Sequence, residues 1–422
     1  MNFDEAIEWL YGFQKFGVKL GLERIKHLCK ALGDPQNSYK TVHVGGTNGK
    51  GSVCKYIASI LSCSEYKVGV YTSPHLQRFS ERFVIDGKEI SDEDVVLLVE
   101  KIKPIVEKMK TNGDTPTFFE IVTAMGFEYF KEKNVDFAVI EVGLGGRFDA
   151  TNIITPMVSV ITNVSLEHEN VLGDTIKHIA LEKAGIIKNG VPVVTGAVDD
   201  ALVVIEETAN EKSNRIPVIE SYNWKYLGNQ SFLINGSLDD YKVKTSMIGK
   251  FQGKNIALSI AAVENLQMNG VFITDGCISL GIGKTSNPGR MEIVSDNPKI
   301  LLDGAHNVAC MNVLKDTLEN EFEFDKLILV VGILSDKNIE EMLKIIVPLA
   351  SEIIVTKSSM DRACDPKVLK KIIEKNGFEY KVTVKNEIKE AIEYAKSIAK
   401  KDDLICVTGS LFTVGEARDI LG

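Results

Sequence analysis

The chain has 422 residues, 44% of them hydrophobic and 25% charged, with a formal net charge of −9. That size leaves room for two domains with ample core, and the acidic balance argues against bulk binding of nucleic acid. No apolar run approaches the roughly 20 residues of a membrane span, the acidic opening Met1-Asn2-Phe3-Asp4-Glu5-Ala6 is not expected to be a signal peptide, and seven scattered cysteines without a C-x-x-C pair suit reduced thiols in a cytoplasmic protein.

The first element with chemical content runs from residue 40 to 61. Lys40-Thr41-Val42-His43-Val44 reads as a short buried strand, and the stretch 51–61 has helical spacing of apolar residues. Between them lies the string HVGGTNGKGS at 43–52. A strand, a glycine-rich turn and a helix N-terminus together cradle a polyphosphate, because backbone N–H groups and the helix dipole face the anion. Lys50 is placed to reach the β- and γ-phosphates, and Ser52 to hold Mg²⁺ or a phosphate oxygen. The match to G-x-x-x-x-G-K-[ST] is imperfect: the first glycine, Gly45, falls one place late, and Gly51 separates Lys50 from Ser52. Taken by itself, the loop also fits an ordinary glycine-rich turn.

Downstream, strands and helices alternate. Ser73 follows the apolar Val68–Thr72. Helical spacing covers 117–130, 175–187 and 201–211, and buried strands are expected at 137–140, 158–161 and 192–194. This rhythm implies a doubly wound parallel sheet. Glu141 ends the strand at 137–140, where α/β sheets bind ligands, so it is a candidate Mg²⁺ ligand; a helix-capping role is equally open. Gly143-Leu144-Gly145-Gly146 follows it. His168 lies beyond the strand at 158–161, and a lone histidine there is more often an ordinary hydrogen-bonded residue, since Mg²⁺ prefers oxygen. Residues 221–248 read as an antiparallel ribbon appended to the sheet, and 253–267 as a helix. Ser286-Asn287-Pro288-Gly289-Arg290 marks a turn-rich boundary. A second βαβ series follows, with strands at 299–302, 326–331, 352–356 and 403–407.

Taken together, the motifs resemble the folylpolyglutamate synthase/dihydrofolate synthase family, relatives of the Mur ligases. The resemblance rests on HVGGTNGKGS at 43–52, YTSPHL at 71–76, EVGLGGRFDATN at 141–152, EHENVLG at 167–173, EKAGIIK at 182–188, NPGRMEI at 287–293, LLDGAHN at 301–307 and TGSLFTVGEA at 408–417. It implies an α/β fold with an N-terminal doubly wound P-loop ATPase domain, like the Mur ligase central domain, over 1–288. A C-terminal Rossmann-like α/β domain is implied over 289–422. It also implies an ATP-dependent ligase that adds L-glutamate to a folate or to dihydropteroate through an acyl phosphate, with Mg²⁺, as a cytoplasmic monomer without nucleic-acid or membrane partners. Closure of the C-terminal domain over the site would keep the acyl phosphate from water.

The same resemblance suggests roles for single residues. Thr47, Asn48, Gly49, Lys50, Gly51 and Ser52 would hold the ATP phosphates. Ser73, Glu141 and His168 would hold Mg²⁺. Lys183 matches a lysine that is carbamylated in such enzymes, although the residues alone read it as a plain helix lysine. Arg290 would contact phosphate and Asp303 the ribose, with Asn255 and His306 near the nucleotide; without the resemblance Asp303 and His306 read as turn and cap residues. Phe118, Phe119 and Glu120, with Phe148, Asp149 and Ala150, match the pterin-receiving region, though the aromatic pair is equally compatible with core. Two departures stand out: Glu167 replaces the Asp that usually precedes the metal histidine, and Gly45-Gly46 replaces Ala-Gly or Thr-Gly.

Two other readings share parts of this pattern. A Mur-type peptide ligase shares the reaction, but such enzymes carry a nucleotide-sugar-binding domain before the loop and Thr or Ser directly after the lysine. A regulatory nucleotide switch would leave Glu141, His168 and Lys183 without purpose, and the sequence has no Asn-Lys-x-Asp guanine motif.

Overall fold

The computed structural model describes residues 1–17, 19–212, 214, 223–377 and 382–422, with backbone only at 169 and 170. The chain separates into two compact units. One comprises 1–246 and 253–285, and the other 247–252 and 286–422. The segment 247–252, expected within the N-terminal domain, belongs with the second unit because Ile248 and Phe251 pack on that unit's apolar core.

The first unit is built on seven strands: β1 (Lys40–Gly45), β2 (Val68–Tyr71), β3 (Phe83–Ile85), β4 (Lys88–Glu89), β5 (Phe137–Glu141), β6 (Val158–Ile161) and β7 (Val193–Thr195). Their order is β4-β3-β2-β5-β1-β6-β7. The five strands from β2 to β7 in that order pair in parallel, whereas β3 and β4 add an antiparallel hairpin at one edge. Every residue of β5 is buried, as both faces of a parallel sheet are covered by helices. The chain leaves β1 toward β2 on one side and later crosses from β5 over β1 to β6 and β7 on the other, so the strand order reverses beside β1. The crevice at such a reversal, beyond the carboxyl ends of the strands, is where open α/β sheets take ligands. Register puts Val44 beside Glu141 and Gly45 beside Ile161.

The expected ribbon is a separate sheet rather than an extension of the main one. Strands β8 (Trp224–Gly228), β9 (Ser231–Asn235) and β10 (Asp240–Lys244) pair only with one another; residues 221 and 222 of the expected range lie outside the described residues. The sheet covers the helix Gln252–Met268 instead. There the Tyr241 hydroxyl donates to the buried Glu264 carboxylate at 3.1 Å, and Trp224 and Phe232 pack over Gly253.

Among the described residues the second unit has six strands: β11 (Glu292–Asp296), β12 (Lys299–Asp303), β13 (Leu327–Val331), β14 (Glu352–Val355), β15 (Val382–Val384) and β16 (Leu404–Thr408). Their order is β11-β12-β16-β13-β14-β15, parallel except for the edge strand β11. Two strands, β11 and β15, were not expected from sequence. Both are edge strands with mixed exposure, so neither carries the uniform apolar run that marks a central strand.

Candidate active site

The loop between β1 and the helix Lys50–Cys63 is held open by the carboxyl end of β6. Thr162 Oγ1 and Asn163 Nδ2 both donate to the Asn48 carbonyl, at 2.7 and 2.9 Å. Asn48 N donates to Asn163 Oδ1 at 3.0 Å, and Thr47 N to the Asn163 carbonyl at 2.9 Å. Sequence reasoning missed Thr162 and Asn163; their only signal is polarity directly after an apolar strand. Gly49 has φ 83°, a left-handed conformation that glycine adopts without penalty. A Cβ there would stand 2.6 Å from Asn255 Oδ1, so Asn255 lies against the loop. No side chain caps the helix that begins at Lys50. Its first-turn amides and positive dipole end therefore face the loop, the arrangement that binds phosphate. Lys50 folds back over it, donating to the carbonyls of Gly46 and Thr47 at 3.0 and 2.9 Å.

Glu141 is 6% exposed and ends β5 beside this helix. Its Oε2 accepts the Ser73 amide at 3.0 Å, and both carboxylate oxygens lie 3.8 Å from where a Cβ on Gly51 would sit. The structure thus brings Ser73 and Glu141 together at the phosphate loop. These are hard oxygen donors of the kind Mg²⁺ selects. His168 is exposed, with φ 48°, and its carbonyl accepts the amides of Val171 and Leu172. Among the described residues no three His, Cys, Asp or Glu side chains converge on a metal position. A metal held here would draw on the Glu141 carboxylate and the Ser73 hydroxyl.

Lys183 is 1% exposed and donates to Glu167 Oε1 at 2.8 Å. Burial lowers its pKa to about 8, against the opposing pull of Glu167. Burial raises that of Glu167, but Lys183 and Lys50 outweigh it and the net shift is downward. The motifs at 141–152 and 182–188 meet through close backbone contact. A Cβ on Gly185 would stand 2.4 Å from the Arg147 Cα, and Arg147 N donates to the Glu182 carbonyl at 2.7 Å.

The expected pterin region divides. The Phe119 ring lies over Gly143, and Phe148 is 37% exposed with the Arg147 guanidinium 5.0 Å from its ring centre. Both offer aromatic surface. Asp149 is buried, and its carboxylate accepts Leu144 N at 2.8 Å, Thr151 N at 2.9 Å and Thr151 Oγ1 at 2.5 Å. Burial nevertheless raises its pKa. Ala150 is in the core. Glu120 turns inward, where it accepts Thr117 N and Oγ1 and pairs with Arg24. One carboxylate oxygen, Oε2, therefore serves a helix cap, and the carboxylate pairs with Arg24.

In the second unit, Arg290, Asp303 and His306 gather at the carboxyl end of β12. Arg290 and His306 both donate to the Gly304 carbonyl, at 3.1 and 2.8 Å. Asp303 accepts Met291 N and Ala305 N, each at 3.0 Å, and burial raises its pKa although Arg290 opposes this.

The sequence matches the Mur ligase middle domain over residues 44–263 and the Mur ligase glutamate ligase domain over 289–411. It is 37% identical to the dihydrofolate synthase/folylpolyglutamate synthase of Bacillus subtilis, over 99% of this chain and 98% of that protein. Among solved structures, folylpolyglutamate synthase from Thermotoga maritima is 39% identical, with a TM-score of 0.86, covering 99% of this chain and 96% of that one. The Mycobacterium tuberculosis folylpolyglutamate synthase solved with ADP and AMPPCP is 31% identical, with a TM-score of 0.92, covering 100% and 99%.

Proposed function

The chain belongs to the folylpolyglutamate synthase/dihydrofolate synthase family of Mur ligases and is an ATP-dependent amino-acid ligase, and we propose that it adds L-glutamate to both folates and dihydropteroate. The observation that carries this reading is the uncapped helix N-terminus at Lys50, with the Glu141 carboxylate beside Gly51.

A carboxylate is a poor electrophile, so it must first be activated. We assign the phosphates of ATP to the amides of residues 49–52, with the Thr47 and Asn48 amides held by Asn163, Ser52 on a phosphate oxygen and Asn255 against the loop. On binding, Lys50 exchanges its loop carbonyls for the β- and γ-phosphates. The acceptor carboxylate oxygen attacks the γ-phosphorus, ADP leaves, and an acyl phosphate forms. Lys50 offsets the charge spread over the transferring group. The neutral amine of glutamate then attacks the acyl carbon, inorganic phosphate departs, and the amide remains. Ser73, Glu141 and His168 would hold Mg²⁺, which when bound screens phosphate charge. Carbamylated Lys183 would be an anion that orients the metal or its waters. Asp303 and His306 are assigned to the nucleotide, and Phe119, Phe148, Asp149 and Ala150 to the pterin. All seven cysteines are free, in keeping with a cytoplasmic enzyme, and we assign it the monomeric state.

The test is direct. Purified protein with ATP, Mg²⁺ and L-glutamate is given tetrahydrofolate or dihydropteroate separately. Mass spectrometry should find one added glutamate in each case. Absence of product from both acids overturns the assignment, and product from one alone limits it to that acid.

A further inference from the structure

Arg82 is a buried cation without a counter-ion. It ends the turn Phe79–Arg82 and is 7% exposed. Arg24, Arg78, Arg362 and Arg418 each pair with a carboxylate, and each has a more exposed side chain. No carboxylate among the described residues comes within ion-pairing distance of Arg82. The two nearby acids are already engaged. Glu81 accepts the amides of Leu76, Gln77 and Arg78 at 2.7, 2.9 and 2.8 Å, and Glu141 accepts that of Ser73. The side-chain hydrogen bond Arg82 makes runs from Nε to His75 Nδ1, at 2.9 Å. Since that nitrogen accepts, His75 is neutral and offers no compensating charge.

A buried, unpaired charge is costly, and folding alone gives no reason to keep one. Arg82 also occupies a telling place. Its carbonyl accepts the Thr72 amide, one residue before Ser73, and its charge acts on Glu141. Its guanidinium carbon lies 5.6 Å from the Phe118 ring centre, next to the expected pterin region. None of its terminal nitrogens is among the fully enclosed unpartnered polar atoms. The fork that matches a carboxylate bidentately is therefore free, between an aromatic ring and the phosphate loop.

We propose that Arg82 grips the carboxylate of an aryl-carboxylate substrate, dihydropteroate, and so positions it for phosphorylation. The arene edge rests toward Phe118 while the terminal N–H groups take the two carboxylate oxygens. This role rests on the function proposed above, yet it is separable from it: ligase activity can be real while the carboxylate is held elsewhere.

The experiment measures binding to the full chain with Mg²⁺ and AMPPCP by calorimetry. The probes are dihydropteroate and its analogue with phenyl in place of carboxyphenyl. Wild type should prefer dihydropteroate. Arg82→Gln should weaken dihydropteroate by about a hundredfold and leave the phenyl analogue within about twofold, because that ligand never used the contact. Arg82→Lys should fall between, as a cation without the fork. The thermal midpoint of Arg82→Gln should be unchanged or higher, since an unpaired buried charge is gone. Equal weakening of both ligands, or a wild type indifferent to the carboxylate, overturns the assignment. Absence of glutamylation by wild type instead overturns the function itself.

Discussion

Lys183 Nζ lies 2.8 Å from Glu167 Oε1, with the two side chains 1% and 12% exposed. A lysine buried so fully has its charged form penalised, and its neutral amine is the form that adds CO₂. We therefore expect intact-protein mass spectrometry in bicarbonate buffer to find one CO₂ on Lys183, and Lys183→Ala to be inactive. Relative to the chain with unmodified Lys183, removing the amine strands the Glu167 carboxylate, which costs about 3–5 kcal/mol if it stays ionised. Stability should return in Lys183→Ala/Glu167→Gln while activity does not. A fully active Lys183→Ala variant would refute the role.

Lys50 faces the helix dipole that disfavours a cation, but two loop carbonyls compensate it in the free protein. Lys50→Ala should therefore shift stability by no more than about 1 kcal/mol in either direction. It should lower kcat by 10²–10³, the order expected when a contact worth about 3–4 kcal/mol in the transition state is lost. Thermal unfolding beside steady-state kinetics checks both. Strong destabilisation with nearly normal turnover would show Lys50 to be structural.

Gly49 combines φ 83° with a close approach to Asn255 Oδ1. Gly49→Ala should cost about 1–3 kcal/mol through backbone strain and lose most of its affinity for AMPPCP. Gly49→Ala/Asn255→Ala relieves the clash and leaves the strain, so nucleotide binding should recover only in part. Unchanged binding in the single variant would remove the loop geometry from the argument.

His43 is fully buried on β1, and its Nε2 is 2.8 Å from Thr151 Oγ1. Burial, with Lys188 adding to it, lowers its pKa from 6.5 to about 3. Between those values the unfolded chain binds the proton and the folded chain does not. The His43 contribution is therefore intact above about pH 6.5 and is lost as the pH falls toward 3, by up to about 1.4 kcal/mol per pH unit. Urea unfolding from pH 7 to 4 should show a shallower acid loss in His43→Asn than in wild type. Parallel curves would rule out this source of acid sensitivity.

The strand, turn and helix of the phosphate loop were legible from residues 40–61, because apolar periodicity and glycine placement are local properties. The central strands of both units were legible for the same reason, since uniformly apolar runs mark strands covered on both faces. The hairpin β3–β4 and the edge strands β11 and β15 are too short or too exposed to carry that signal. Local pattern also cannot say what a face will pack against. The ribbon after residue 223 therefore reads as strand, while only the folded chain shows it covering the helix Gln252–Met268 instead of extending the main sheet.

The same limit separates the identity of the site residues from their tasks. Sequence by itself determined the motif set and hence the family, because those strings depend only on residue order. It could not show that the Ser73 amide meets a carboxylate 68 positions away, that Glu120 caps its own helix and pairs with Arg24, or that Lys50 rests on carbonyls. Nor could it distinguish Arg82 from the paired arginines. Each of those outcomes depends on which polar groups find partners when distant segments are brought into contact. A buried charge left without one is visible only once every neighbour has been placed.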